Sequence, residues 1–168
     1  MHKSKTKKIA LYGMLIALAF ILSYIENLIS IPSPIPGIKL GLANIVVLIG
    51  LYALGVKAAF SLSVVRVLLV SLTFGNMSMF WFSLAGAFLS LITMICLKKI
   101  KGFSMIGVSI AGGVAHNVGQ IIVAMYVLGK RIVFQLPFLL IGGIAMGTVI
   151  GIVGAIVWKK LSKALNQW

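Results

Sequence analysis

The stretch that decides the fold is Ser104–Leu128, SMIGVSIAGGVAHNVGQIIVAMYVL, a run of residues without a single charge. As a helix it spans roughly 37 Å, enough to cross the roughly 30 Å hydrocarbon core of a bilayer. At its middle stands Gly112-Gly113-Val114-Ala115-His116-Asn117-Val118-Gly119-Gln120. Asn117 and Gln120 are three apart, and His116 and Gln120 four apart, so all three polar side chains share one arc of the helix. Gly112, Gly113 and Gly119 flank them and let another backbone or a ligand come close. Polar groups at bilayer depth are costly, and two readings are open for them. Either they form a functional site, or they bond neighbouring helices.

The rest of the chain fits a membrane class. Hydrophobic residues make up 61%, Glu26 is the single acidic residue, and the formal net charge is +14; mean hydropathy is +1.19. A soluble domain of this length exposes far more charge. The cations cluster at the ends of apolar runs, as the positive-inside rule requires, which argues against a nucleic-acid partner. The expected fold is an all-α integral membrane protein, one transmembrane domain over residues 1–168. Cys96, the only cysteine, rules out an internal disulfide and a cysteine zinc cluster and is expected to pack as a small hydrophobe.

Six spans are expected. A basic arm, residues 1–8 with Lys3, Lys5, Lys7 and Lys8, precedes a first helix over Ile9–Ile25. No cleavage site with a soluble domain after it follows, which speaks against a signal peptide. Gly13 and Ala17 give this helix a small-xxx-small face for close helix contact. Residues 26–39 form an outer break, where Pro32, Pro34 and Pro36 block helix and Pro36-Gly37 signals a turn. Its isoleucines suit a lid folded over the bundle, with an ordinary interfacial loop as the alternative. The remaining spans are Gly41–Leu54, short for a bilayer, then Val56–Thr73, Ser78–Leu97, Ser104–Leu128 and Ile132–Trp158. The last has an interfacial piece before Pro137 and a ridge of Gly143, Gly147, Gly151 and Ala155. Phe80, Trp81 and Phe82 suit an aromatic belt.

Six spans put both termini on one side. Lys3, Lys5, Lys7, Lys8, Lys57, Lys98, Lys99, Lys101, Lys159, Lys160 and Lys163 fall on that side, against Lys39, Lys130 and Arg131 on the other. The asymmetry makes both termini cytoplasmic.

The chemistry narrows to a few residues. Arg66 lies near the centre of the third span, and a buried cation needs an anion or a fan of carbonyls. It can pair with Glu26, snorkel or capture carbonyls, or meet an anion from outside the chain. Glu26, Asn27 and Asn44 fall towards the outer side under the proline-rich loop. With Arg66, His116, Asn117 and Gln120 they can line one outward-opening cavity, apolar with a few convergent polar groups. His116 and His2 are the only histidines, too few ligands for a metal site. Magnesium-dependent phosphoryl or prenyl-diphosphate chemistry needs carboxylates that one Glu cannot supply. No GxxxxGK[ST] occurs, so the chain is not expected to hydrolyse ATP. Neither enzymatic activity nor a cofactor is expected.

Three motifs carry a resemblance: Ile35-Pro36-Gly37-Ile38-Lys39-Leu40-Gly41-Leu42-Ala43-Asn44; Arg66 with Phe74-Gly75-Asn76; and Gly112–Gln120. On these the chain resembles the bacterial heptaprenyl diphosphate synthase component I family, also called the Gx transporter family, over nearly its whole length. That family is similar to the substrate-binding S-components of energy-coupling factor (ECF) transporters. The resemblance implies a six-helix protein of the bacterial plasma membrane that captures a vitamin-, flavin- or quinone-precursor-like molecule from outside. It also implies partners, a transmembrane coupling subunit and two cytosolic ATPases, with Gly13 and Ala17 facing the coupling subunit. The alternative is a non-catalytic membrane accessory subunit in prenyl diphosphate or menaquinone synthesis. A small ion-coupled carrier is the third reading, weakened because no span carries a carboxylate in its middle.

Overall fold

The computed structural model describes residues 2–28, 41–75 and 77–166. Among them it forms six α-helices: α1 His2–Leu28, α2 Asn44–Ala53, α3 Val56–Phe74, α4 Met77–Lys99, α5 Met105–Leu128 and α6 Leu136–Asn166. A 3₁₀ turn, Lys130–Gln135, precedes α6 and occupies the place of the expected interfacial piece before Pro137. Five of the helices are long and apolar enough to cross a membrane, and α2 is a shorter apolar helix of 10 residues. The side chains they turn outward are apolar (Ile21, Leu72, Phe88, Ile122 and Ile141 are all exposed), as a lipid-facing surface requires.

Several boundaries differ from the sequence reading. The basic arm is not separate: α1 starts at His2, because lysine is a good helix former and nothing in the arm breaks a helix. Helix α2 begins at Asn44 rather than Gly41, since Gly41 takes φ +86°, a left-handed conformation outside any α-helix. Helix α6 runs past Trp158 to Asn166, so Lys159, Lys160 and Lys163 ride on it. Cys96 is exposed on the lipid side rather than packed inside. The proline-rich lid expected within 26–39 lies, from residue 29 onward, outside the described residues.

Helix α5 is the central element, packed along its length against both α4 and α6. Glycines make that approach possible. A Cβ on Gly119 would stand 2.6 Å from the Ala85 carbonyl oxygen of α4. One on Gly113 would stand 2.6 Å from the Gly143 oxygen, and one on Gly147 2.7 Å from Ile110 Cα, both across the α5–α6 seam. Without a hydrophobic drive between helices in lipid, such backbone-to-backbone contact supplies the packing energy. The expected ridge on α6 is therefore real for Gly143, Gly147 and Gly151. Gly13 differs: among the described residues nothing lies within 4 Å of a Cβ built there, and Ala17 is exposed.

The short α2 is held at both ends. At its start the Glu26 carboxylate accepts hydrogen bonds from the Gly41 and Leu42 N–H groups, donors that a helix start leaves free. At its end Lys98 Nζ donates to the Leu51 carbonyl at 2.6 Å and sits 4.6 Å from the Tyr52 ring centre. Tyr52 in turn meets Trp158 edge-on. These contacts place the last turns of α2 and α4 beside Trp158 of α6, at the end of the bundle that holds both chain termini. Lys98→Met keeps the aliphatic stem but removes the charge-assisted bond and the cation–π contact. It is expected to cost about 1–2 kcal/mol, read as a lower melting temperature in detergent, with Lys99→Met as the unchanged control.

Candidate functional site

The site lies in the half of the bundle away from the termini. Helix α1 ends there with Ser23 and Glu26 one turn apart on one face. Glu26 is held by the backbone of Gly41 and Leu42, which sets the entry to α2 against the end of α1. Gly41 forms the roof: a Cβ on it would stand 2.8 Å from Asn44 Nδ2 and 3.6 Å from the His116 ring. Helix α3 supplies Arg66 from below and α5 supplies His116 from the side.

Among the described residues, Ser23, Glu26, Gly41, Arg66, Ser83 and His116 line one polar cavity of about 20 Å³. That is room for roughly one water molecule. Arg66 is only 7% exposed. Glu26 and His116 are near enough to it to interact electrostatically. Yet the guanidinium has no hydrogen-bond or ion-pair partner among the described residues. Of the three fates open to Arg66, pairing at contact distance with Glu26 is therefore not the one observed: that carboxylate is committed to the start of α2. His116 is 3% exposed; its ring lies close against Gly86 of α4 and leaves Nδ1 without a partner.

Three of the expected site residues, Glu26, Arg66 and His116, thus come together, and three do not share their cavity. Asn44 lines a separate void of about 10 Å³ among α2, α4, α5 and α6, beside Ser90 and Ser109. Asn117 faces α6, where Nδ2 donates to the Leu139 carbonyl at 2.6 Å in a space that Gly143 leaves open. Gln120 packs against Gly86 of α4, with both amide atoms buried and unpartnered. The physical reason is angular. Successive residues are about 100° apart on a helix, so His116, Gln120 and Asn117, in that angular order, fan from the α3 side through α4 to α6. Sharing one arc did not mean sharing one void. The side chain of Asn27 lies outside the described set.

Sequence reasoning missed Ser23, Gly41 and Ser83 as lining residues. Ser23 had a signal, its three-residue spacing from Glu26. Gly41 stood in a quoted motif, but its left-handed turn was not legible. Ser83 is one of several α4 serines and threonines and had no signal.

The arrangement can bind an oxyanion. It offers a desolvated cation, a neighbouring imidazole and a hydroxyl, with the chain's own carboxylate turned to another task. Among the described residues no group of three or more His, Cys, Asp or Glu could hold a metal ion.

Comparison with known proteins fits this geometry. The chain is similar in structure to the S component of a bacterial ECF transporter, with a TM-score of 0.65, 23% sequence identity and 97% of each chain covered. At that identity the likeness is one of fold, and it covers the whole bundle. No curated protein matches the sequence. The family model for heptaprenyl diphosphate synthase component I matches residues 15–157, which takes in every element from α1 to α6. With that match over most of its length, the chain belongs to the heptaprenyl diphosphate synthase component I family.

Proposed function

We propose that the chain is the substrate-binding subunit of an ECF-type transporter, taking a small anionic molecule from the outer side of a bacterial plasma membrane. The observation that carries this reading is Arg66, buried, without a contact partner among the described residues, and lining a polar cavity. A desolvated cation costs several kcal/mol unless an anion offsets it, so the cavity is matched to an oxyanion. Glu26, Arg66 and His116 frame the guest from α1, α3 and α5. Asn117 stands behind them and bonds α5 to α6, while Gln120 packs against Gly86 of α4. The cation asymmetry orients both termini to the cytoplasm and the cavity outward. Energy comes from two cytosolic ATPases through a transmembrane coupling subunit. Gly13 and Ala17, both exposed on α1, receive that subunit.

Affinity capture of the tagged chain from its own membranes, followed by mass spectrometry of proteins and small molecules, tests the reading. A coupling subunit, ATPases and a bound anion are the expected result. The family's name supports a second reading, a non-catalytic membrane partner of a prenyl diphosphate synthase. Capture of a soluble prenyltransferase with no small molecule would establish that reading in place of the first.

The partner face gives a separate expectation. Gly13→Leu meets open space, so its melting temperature should match wild type, while co-purification of the coupling subunit falls at least about tenfold, the effect of some 1.4 kcal/mol. An unchanged complex would move the interface elsewhere.

A further inference from the structure

A separate void lies where α2, α4, α5 and α6 meet. It measures about 10 Å³, and its walls include Asn44 of α2, Ser90 and Met94 of α4, and Ser109 and Gly112 of α5. Glycine makes the space: a Cβ on Gly112 would stand 2.7 Å from Met94 Cγ and 3.3 Å from Ser90 Oγ. The three polar residues are all removed from solvent, with Asn44 7%, Ser90 1% and Ser109 4% exposed. Ser90 Oγ is buried and has no hydrogen-bond partner among the described residues. A hydroxyl inside a helix commonly bonds the carbonyl one turn back, as Thr93 does to Leu89 on the same helix. Ser90 makes no such bond. A hydroxyl buried in this way costs free energy unless something meets it.

We infer that this void is a binding site for one ordered water molecule, held by Ser90, Ser109 and Asn44, and that the water bonds α2 to α4 and α5 inside the bundle. Volume and chemistry agree. About 10–15 Å³ is the least space that holds a water, so nothing larger fits. A buried water takes two to four polar partners, and three helices supply one side chain each. Hydroxyls and amides both donate and accept hydrogen bonds, as water does. Voids that stay dry are apolar, and this one is not. A metal ion is a poor match, because no carboxylate lines the void and the single acid, Glu26, is bonded to Gly41 and Leu42. Asn44 then serves the joint of α2, apart from the anion cavity, and the site stands whichever guest that cavity takes.

Met94 lines the void and is 2% exposed, so its thioether reports on the water directly. The full chain in phosphatidylcholine nanodiscs is given an X-ray pulse, which turns bound water into hydroxyl radical in place. Methionine sulfoxide is then read by mass spectrometry. Expected is oxidation of Met94 in wild type. A parallel sample takes hydrogen peroxide, which must diffuse in. It should oxidise Met77, which is 71% exposed, and spare Met94. Ser90→Val removes one partner and puts a methyl group in the water's place, so X-ray oxidation of Met94 should be lost. Ser90→Ala removes the partner alone and should lower that oxidation; it decides the matter if the valine variant does not fold. Wild-type Met94 left intact by X-rays, or oxidation that neither variant changes, would overturn the inference. Peroxide oxidation of Met94 equal to that of Met77 would overturn it too, since the void would then be open to bulk.

Discussion

Arg66→Gln is expected to abolish ligand binding and, at the same time, to raise the melting temperature of the ligand-free protein. Loss of a buried charge that faces a bound anion costs about 2–5 kcal/mol, roughly thirty- to several-thousand-fold in Kd. The stability change has the opposite sign. Arg66 is buried without a contact partner among the described residues, and its desolvation is only partly offset by the Glu26 carboxylate that lines the same cavity. Removing an uncompensated charge relieves that penalty, so a gain of about 1–4 kcal/mol is expected from the behaviour of buried ionic groups. Arg66→Lys separates charge from geometry. It keeps the cation but not the planar fork that holds an oxyanion by two bonds, and should fall between wild type and Gln in affinity. Isothermal titration and thermal unfolding in the same detergent read both effects. A variant that binds normally, or one that loses binding only because it unfolds, would remove Arg66 from the site.

The second large effect lies at the α5–α6 seam. Gly147→Ala puts a Cβ 2.7 Å from Ile110 Cα, a contact that only a backbone shift can relieve. Overpacking of this kind costs about 1–3 kcal/mol, occasionally more, and here it also pushes α6 off the α5 surface that positions Asn117 against Leu139. A graded series makes the expectation specific. Gly113→Ala and Gly151→Ala meet backbone at 2.6 and 2.7 Å and should resemble Gly147→Ala. Gly154→Ala meets the Leu48 side-chain end at 3.1 Å and should be mild, because a flexible side chain can give. Gly13→Ala meets nothing within 4 Å and should be silent. Melting temperatures that fail to follow this order would mean that the seam is looser than its geometry.

Much of this was legible in the chain. The apolar runs placed α2 to α5 to within about three residues, since in lipid the length and polarity of a segment leave few alternatives, whereas α1 starts seven residues earlier and α6 ends eight residues later than their apolar runs. The four-residue glycine repeat of α6 announced a close crossing, because spacing alone puts those positions on one face. The arm was misread because a charge run looks like a tail, although lysines continue a helix once α1 has begun. Cys96 was misplaced because lipid inverts the usual meaning of exposure: a small apolar residue is as stable facing acyl chains as facing the core.

The site was half legible. Arg66 stood out through charge in an apolar span, and Glu26 through being the single acid. What the sequence did not convey was division of labour. Helical spacing placed His116, Asn117 and Gln120 on one arc, but which neighbour each side chain meets depends on where α3, α4 and α6 cross α5. That is a tertiary fact. The commitment of Glu26 to the Gly41 and Leu42 amides depends likewise on a long-range contact between the end of α1 and the start of α2.

The most direct test is native mass spectrometry of the wild-type chain and Arg66→Gln, each released gently from the membranes in which it is made. The account predicts that wild type carries a small anion as a discrete added mass and that the variant, folded and equally abundant, carries none. An identical adduct on both proteins, or none on either when the membranes contain the anion that the chain is shown to transport, would contradict it.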